Sequence, residues 1–273
     1  MNVLMSVQMK SVPIFQVDAF TTGAFTGNPA AVCVPDAWLP DGIMQKIAAE
    51  NNLAETAFII PDGNNWKIRW FTPLVEVDLC GHATLASGYV VLNQLKPGSG
   101  NVTFHSLHSG TLSVTAKGDM LELDFPTDTL TACSLPAVIK ESLGVSPVES
   151  YMGRSDYLVL LDSETDVLNI RPDFRRLASA DGRGVIVTAA GTDVDFVSRF
   201  FAPQAGIDED PVTGSAHTTL TPFWSARLGK TALNARQLSA RGGYLECLLK
   251  GDRTLIAGAA SLYLKGVIYV DLA

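Results

Sequence analysis

Apolar and polar residues alternate with a period of two over 111–116 (TLSVTA) and 120–125 (MLELDF). That period puts one face of each segment in a core and the other toward water, so the pair reads as a β-hairpin turning at Lys117-Gly118-Asp119. Residues 41–52, 82–95 and 215–229 read as helices, and the last two are apolar enough to be central. Pro222 inside the third predicts a kink or a late start. Residues 53–60 read as a core strand whose single charged side chain is Glu55. An ionised carboxylate is costly to bury unless it is paired, so Glu55 calls for a reason.

The pattern repeats along the chain at an offset of 133 residues. Gly81, Ala83, Leu95, Asn101, Ser106, Gly110, Leu112 and Lys117-Gly118-Asp119 match Gly214, Ala216, Leu228, Asn234, Ser239, Gly243, Leu245 and Lys250-Gly251-Asp252. These are ten identities over positions 81–119 without a gap. Upstream, RWFTP (69–73) echoes RFFAP (199–203) after a small length change. The repeat predicts an α+β fold of two pseudo-symmetric domains, each a curved, mostly antiparallel sheet wrapped around a central helix. The expected domains span 11–127 and 128–273, with a linker near 125–132 and a last strand (265–272) that is a candidate to return to the first domain.

Composition narrows the partners. The 273 residues are 47% hydrophobic and 18% charged, an ordinary globular profile with material for a large core. Net charge is −8 and no Lys/Arg run stands out, which disfavours nucleic acid and anionic membranes and leaves a small molecule. Cys33, Cys80, Cys133 and Cys247 form no metal-ligand spacing, and few scattered thiols fit a reduced, cytoplasmic protein. The first ten residues read as a dispensable lead-in rather than a signal peptide, with Met5 and Met9 as alternative starts.

Two loops hold the candidate chemistry: 76–85 (EVDLCGHATL) and 206–220 (GIDEDPVTGSAHTTL). Each brings a glycine, Gly81 or Gly214, to a helix N-terminus, where free N–H groups and the helix dipole favour anions. A pseudo-two-fold axis would set the loops face to face across a cleft, suiting a substrate with one or two carboxylates. The plain alternative is that both glycines only permit tight turns. Under the repeat His82 aligns with Ser215 and Cys80 with Thr213. A thiol opposite a hydroxyl argues against a racemase with two thiol bases.

The motifs FQVDAFTTGAFTGNPAAV (15–32), NLAETAFI (52–59), DLCGHATLASG (78–88) and DEDPVTGSAH (208–217), in this order, resemble the PhzF-like isomerases of phenazine biosynthesis. The resemblance runs from about Ile14 to the C-terminus. It implies the diaminopimelate epimerase-like fold, a homodimer, and isomerisation of a dihydro-hydroxyanthranilate by proton movement between carbons with no cofactor and no metal. It makes Glu55 the proton carrier and His82, Asp210 and Ser215 its catalytic companions. Gly81, Gly214, Thr213 and Cys80 would contact substrate. Cys80 stands where the family is expected to carry a non-nucleophilic residue, so an active Cys80 would point to a different substrate.

Pattern alone favours plainer roles for several of these. Glu55 could cap a turn or pair with Arg69, and His82 could be a satisfied residue near a helix start. His217 reads as packing, and Asp208 as a weaker choice than Asp210. Asp78 reads as orienting its turn. Asp18 and Asn28-Pro29 read as shaping a hairpin at the cleft rim. His105 and His108 are rejected as metal ligands because strand residues three apart face opposite ways. Two other functions stay open: a dehydratase or epimerase of a small hydroxy- or amino acid using Cys80, and a non-catalytic binding protein of the same fold.

Overall fold

A computed structural model describes residues 9–271; most of the expected lead-in lies outside them. Met9 and Lys10 already belong to the first strand, β1 (Met9–Thr21). It is followed by β2 (Asn28–Cys33), α1 (Asp41–Asn51), β3 (Glu55–Asp62), β4 (Asn65–Phe71) and the short β5 (Glu76–Val77). Then come α2 (Gly81–Tyr89), β6 (Asn101–Ser106), β7 (Gly110–Lys117) and β8 (Met120–Pro126). The second half opens with β9 (Thr131–Ala132), α3 (Ala137–Leu143), β10 (Glu149–Met152) and β11 (Asp156–Leu160). It continues through α4 (Glu164–Asn169), α5 (Phe174–Leu177), β12 (Gly184–Ala190), β13 (Phe196–Ala202) and β14 (Ile207–Asp210). It ends with α6 (Gly214–Leu228), β15 (Ala232–Gln237), β16 (Gly243–Lys250) and β17 (Arg253–Asp271).

The offset of 133 survives in three dimensions. Helices α2 and α6 begin at 81 and 214, strands β7 and β16 at 110 and 243, and β8 and β17 at 120 and 253. The two Lys-Gly-Asp turns agree in backbone as well, with φ of +59° at Gly118 and +64° at Gly251, a region glycine enters without cost.

Pairing is mostly antiparallel, with parallel exceptions at β2–β3, β4–β6, β11–β12 and β13–β15. Adjacent pairings run from β1 through β2, β3, β4, β6, β7 and β8 to β17, and β17 returns to β1, so the strands close around α2. Residues 253–257 of β17 lie between β8 and β16, and its remainder runs along β1. One strand therefore belongs to the sheets of both halves.

Burial follows this closure. All residues of α2 from Gly81 to Gly88 are buried, and one apolar core includes side chains of both α2 and α6. Outside the sheets, α1 covers one patch through Met44 and Ile47, and α3 to α5 cover another through Ile139, Val167 and Leu177. Helix α2 passes into a π-helical turn over Val90–Leu95, where a uniform helix was expected. Helix α6 starts at Gly214, so Pro222 does not delay it. Proline has no N–H for the carbonyl four residues back. That carbonyl, on Thr218, accepts instead from the backbone N–H of Asp128 at 3.2 Å, which ties α6 to the connection between the halves.

Candidate active site

Strand alternation aims the key side chains. Along β3, Ala57 and Ile59 enter the core around α2 while Phe58 packs on the α1 side. Glu55 shares the parity of Ala57 and Ile59 and so points inward. Along β2, Ala30 and Val32 face the same core, which turns Asn28 inward too. Ala30 pairs with Glu55, so both polar residues lie at the same end of the ring.

The helix N-termini meet at that end. A Cβ placed on Gly81 would stand 3.4 Å from the Cα of Gly214, and one on Gly214 3.5 Å from the Cα of Gly81. Neither glycine has a positive φ. A Cβ on either would make ordinary van der Waals contact with the other glycine, so the two helix starts lie against each other without a left-handed backbone at either.

All eight residues expected at the site, Glu55, Cys80, Gly81, His82, Asp210, Thr213, Gly214 and Ser215, line one cavity of about 400 Å³. A larger neighbour of about 580 Å³ shares Asp78, Leu79, Gly81, Arg183 and Ser215 with it but contains none of Glu55, His82 and Asp210.

Glu55 Oε2 lies 3.2 Å from His82 Nε2. The contact lacks hydrogen-bond alignment, and both atoms are buried without a partner. Burial, and then the Asp210 carboxylate nearby, push the Glu55 pKa up to about 8. Burial pushes His82 down to about 3. The pair is thus a carboxyl facing a neutral imidazole, not an ion pair. Asn28 Nδ2 lies 3.1 Å and Cys80 Sγ 3.5 Å from His82 Nδ1, so Nε2 is the ring nitrogen that faces Glu55.

Asp210 is held from both sides. Its Oδ1 accepts from Asn28 Nδ2 at 2.7 Å and its Oδ2 from the Thr213 hydroxyl at 2.5 Å. Gln237 braces the turn, donating to the Asp210 carbonyl at 2.7 Å and accepting from the Thr213 N–H at 2.8 Å. Burial still raises the Asp210 carboxyl to about 6, against the lowering effect of those bonds. Cys80 is buried, and desolvation followed by the Glu55 charge raises its thiol pKa well above the ordinary value. It is a neutral thiol, not a primed thiolate.

Arg183, between α5 and β12, was not singled out from the sequence. It donates to buried Asp156 (2.9 Å at Oδ1), stacks on Phe200 at 5.4 Å, and donates to Ser215 Oγ at 3.0 Å. Its charge lowers the pKa values of Glu55 and Asp210. Asn28 was expected at the cleft rim; it is fully buried between His82 and Asp210. Arg69, the alternative partner for Glu55, is committed to Glu76 and Asp41. His217 packs within α6 with Nδ1 2.8 Å from the Thr213 carbonyl, and Asp208 is exposed. Asp18 is buried against Arg241. His108 lies in a turn rather than in a strand, 3.9 Å from Asp78, while His105 contacts Asn65 and Thr111.

Residues 17–266 match the family model PhzC-PhzF, described as phenazine biosynthesis-like protein. The chain belongs to the PhzC-PhzF family. It is 50% identical over 257 residues to an uncharacterized isomerase of Pseudomonas aeruginosa, covering 94% of this chain and 98% of that one. A PhzF-family crystal structure from Enterococcus faecalis superposes with a TM-score of 0.92 at 47% identity, over 96% of this chain and all of the other. A hydroxyproline epimerase from Agrobacterium vitis, 12% identical with a TM-score of 0.62 over 96% of this chain and 93% of that one, shares the fold alone. The fold is the diaminopimelate epimerase-like α+β architecture expected from the sequence. Among the described residues, no helix is long and apolar enough to cross a membrane.

Proposed function

We propose that this chain is a cofactor-independent isomerase that moves a proton between carbons of a small cyclic or unsaturated carboxylic acid, of the dihydro-hydroxyanthranilate kind. The observation that carries the reading is Glu55: a buried carboxyl on the cavity wall whose Oε2 has no hydrogen-bond partner, with a pKa of about 8 in reach of neutral pH. In its ionised form Glu55 takes a proton from a carbon of the substrate. The C–H bond breaks, an O–H bond forms, and the electron pair spreads into the conjugated system. The same carboxyl then returns the proton to another carbon on the same face, which restores the carboxylate. One base suffices, in keeping with a site that has Thr213 opposite Cys80.

His82, with its hydrogen on Nε2, steadies the Glu55 carboxylate as it forms. Asp210, aligned by Asn28 and Thr213, accepts a hydrogen bond from a polar substituent of the substrate. The carboxylate of the substrate is received at the first turns of α2 and α6 and by the Ser215 hydroxyl, which Arg183 orients. Names of relatives support this reading, one being called an isomerase. The protein works as a cytoplasmic homodimer in this reading, and light scattering on the purified protein tests the dimer. Proton NMR in D₂O with the dihydro-hydroxyanthranilate tests the chemistry. Deuterium should enter the product with wild type and not with Glu55→Gln; an inert wild type beside an active family enzyme would remove this substrate.

A further inference from the structure

Glu55, Cys80 and His82 have a second property. They offer a carboxylate oxygen, a sulfur and a ring nitrogen that all lie within 4.8 Å of one another. One oxygen of Glu55, Oε2, and one ring nitrogen of His82, Nε2, are buried atoms with no hydrogen-bond partner. His82 is only 4% exposed and Glu55 9%. Such atoms are starved of a positive or hydrogen-bonding neighbour.

Ligand bonds of about 2.0–2.3 Å in a tetrahedral zinc site set neighbouring ligand atoms roughly 3.3–3.7 Å apart. The Glu55–His82 separation of 3.2 Å, at Nε2, is already at that spacing, while Cys80 Sγ lies 3.5 Å from the other ring nitrogen, Nδ1. One nitrogen must serve the ion, and the offered atoms stand within 4.8 Å of one another, so the imidazole and the Cys80 side chain must turn to close on it, and ligation through Nε2 passes the ring hydrogen to Nδ1. All three residues line the cavity, so the fourth position faces the space where substrate would sit. The donor set of one S, one N and one O selects a borderline ion such as Zn²⁺ over Mg²⁺ or Ca²⁺, which require oxygen. A divalent ion also brings the two positive charges that a thiolate and a carboxylate neutralise. Binding releases the thiol proton to solvent, and whatever proton Glu55 carries.

We infer that Glu55, Cys80 and His82 form a three-ligand site for one Zn²⁺-like ion, and that its occupation excludes substrate and stops proton transfer. The first half stands on geometry alone; the second rests on the proposed role of Glu55.

The binding half is tested with Co²⁺ as a spectroscopic substitute and Zn²⁺ by calorimetry, on the full chain kept reduced. Wild type should bind one equivalent, with the visible bands of four-coordinate cobalt and a thiolate-to-cobalt charge-transfer band. Cys80→Ser should lose that band and weaken Zn²⁺ binding by at least about tenfold, the scale on which even outer partners of a metal site matter. Cys133→Ser, in the second half of the chain, should behave as wild type. Circular dichroism checks folding, and Cys80→Ala replaces the serine variant if that one does not fold. Absence of the charge-transfer band in wild type, or its survival in the Cys80 variant, overturns the site. For the second half, Zn²⁺ should abolish deuterium wash-in and a chelator restore it. One-equivalent, Cys80-dependent binding with undiminished wash-in would leave the metal site standing and overturn both its inhibitory role and Glu55 as proton carrier. No wash-in from wild type in metal-free buffer overturns the proposed reaction and leaves the spectroscopic test untouched.

Discussion

Asn28 Nδ2 lies 2.7 Å from Asp210 Oδ1, a bond between residues 182 apart in the chain. The same nitrogen lies 2.9 Å from the Val212 carbonyl and 3.1 Å from His82 Nδ1. One buried amide thus ties β2, α2 and the loop before α6 together. Asn28→Ala should destabilise the fold by about 1–3 kcal/mol, because buried acceptors lose their donor. Urea denaturation checks this. Asn28→Asp should cost more, since it sets two carboxyl groups against each other. Both variants should lose deuterium wash-in even where they fold.

Glu55→Gln keeps the shape of the carboxyl and removes the proton carrier. Wash-in should fall by about 10²–10⁴-fold, the usual span of general acid–base catalysis. Stability should respond in a different way. The folded-state pKa of Glu55, about 8, lies above its ordinary value of 4.5. Its contribution is therefore fully present below about pH 4.5 and is lost as pH rises toward 8. Asp210, raised to about 6, acts with the same sign. Thermal melts across this range should show Glu55→Gln gaining on wild type as pH increases.

The pH dependence of turnover separates base from acid. If the carboxylate begins the reaction, log kcat/KM should rise with slope near one below about pH 8 and level off above it. A profile that falls through pH 8 would make Glu55 an initial proton donor.

Arg183→Met removes the positive charge that lowers the Glu55 pKa. The midpoint of the pH–rate profile should therefore move upward. Asp156, 4% exposed, loses its partner, so the melting temperature should fall as well. A shift in melting temperature with an unmoved pH midpoint would make Arg183 structural only.

Gly88 shows how tightly the strands grip α2. A Cβ there would stand 2.5 Å from Val114 Cγ1 on β7. Gly88→Ala should cost about 1–3 kcal/mol through overpacking, although alanine is the better helix former. Val114→Ala in the same chain should recover part of that loss, and a double-mutant cycle by denaturation measures it.

Much of this protein could be read from its residues in order. The offset of 133 residues marks the two central helices and the hairpins beside them, because a duplicated pattern keeps its spacing when each copy folds alike. The apolar run over residues 53–60 announced a core strand with one carboxylate near its head. The motif resemblance singled out the residues that meet in one cavity, which composition and periodicity could not have done.

Other features exist only after the strands close. Asn28 looked like a turn residue because its partners, His82 and Asp210, lie 54 and 182 positions away. Nothing in its local pattern records them. Arg183 sits in a stretch of polar residues and glycines, and becomes part of the site through Asp156, Phe200 and Ser215, which other elements bring to it. The raised pKa of Glu55 belongs to no residue alone. It comes from the dry space that β2, β3, α2 and the approach to α6 make together, where lost hydration and the Asp210 carboxylate outweigh the Cys80 hydrogen bond and the Arg183 charge.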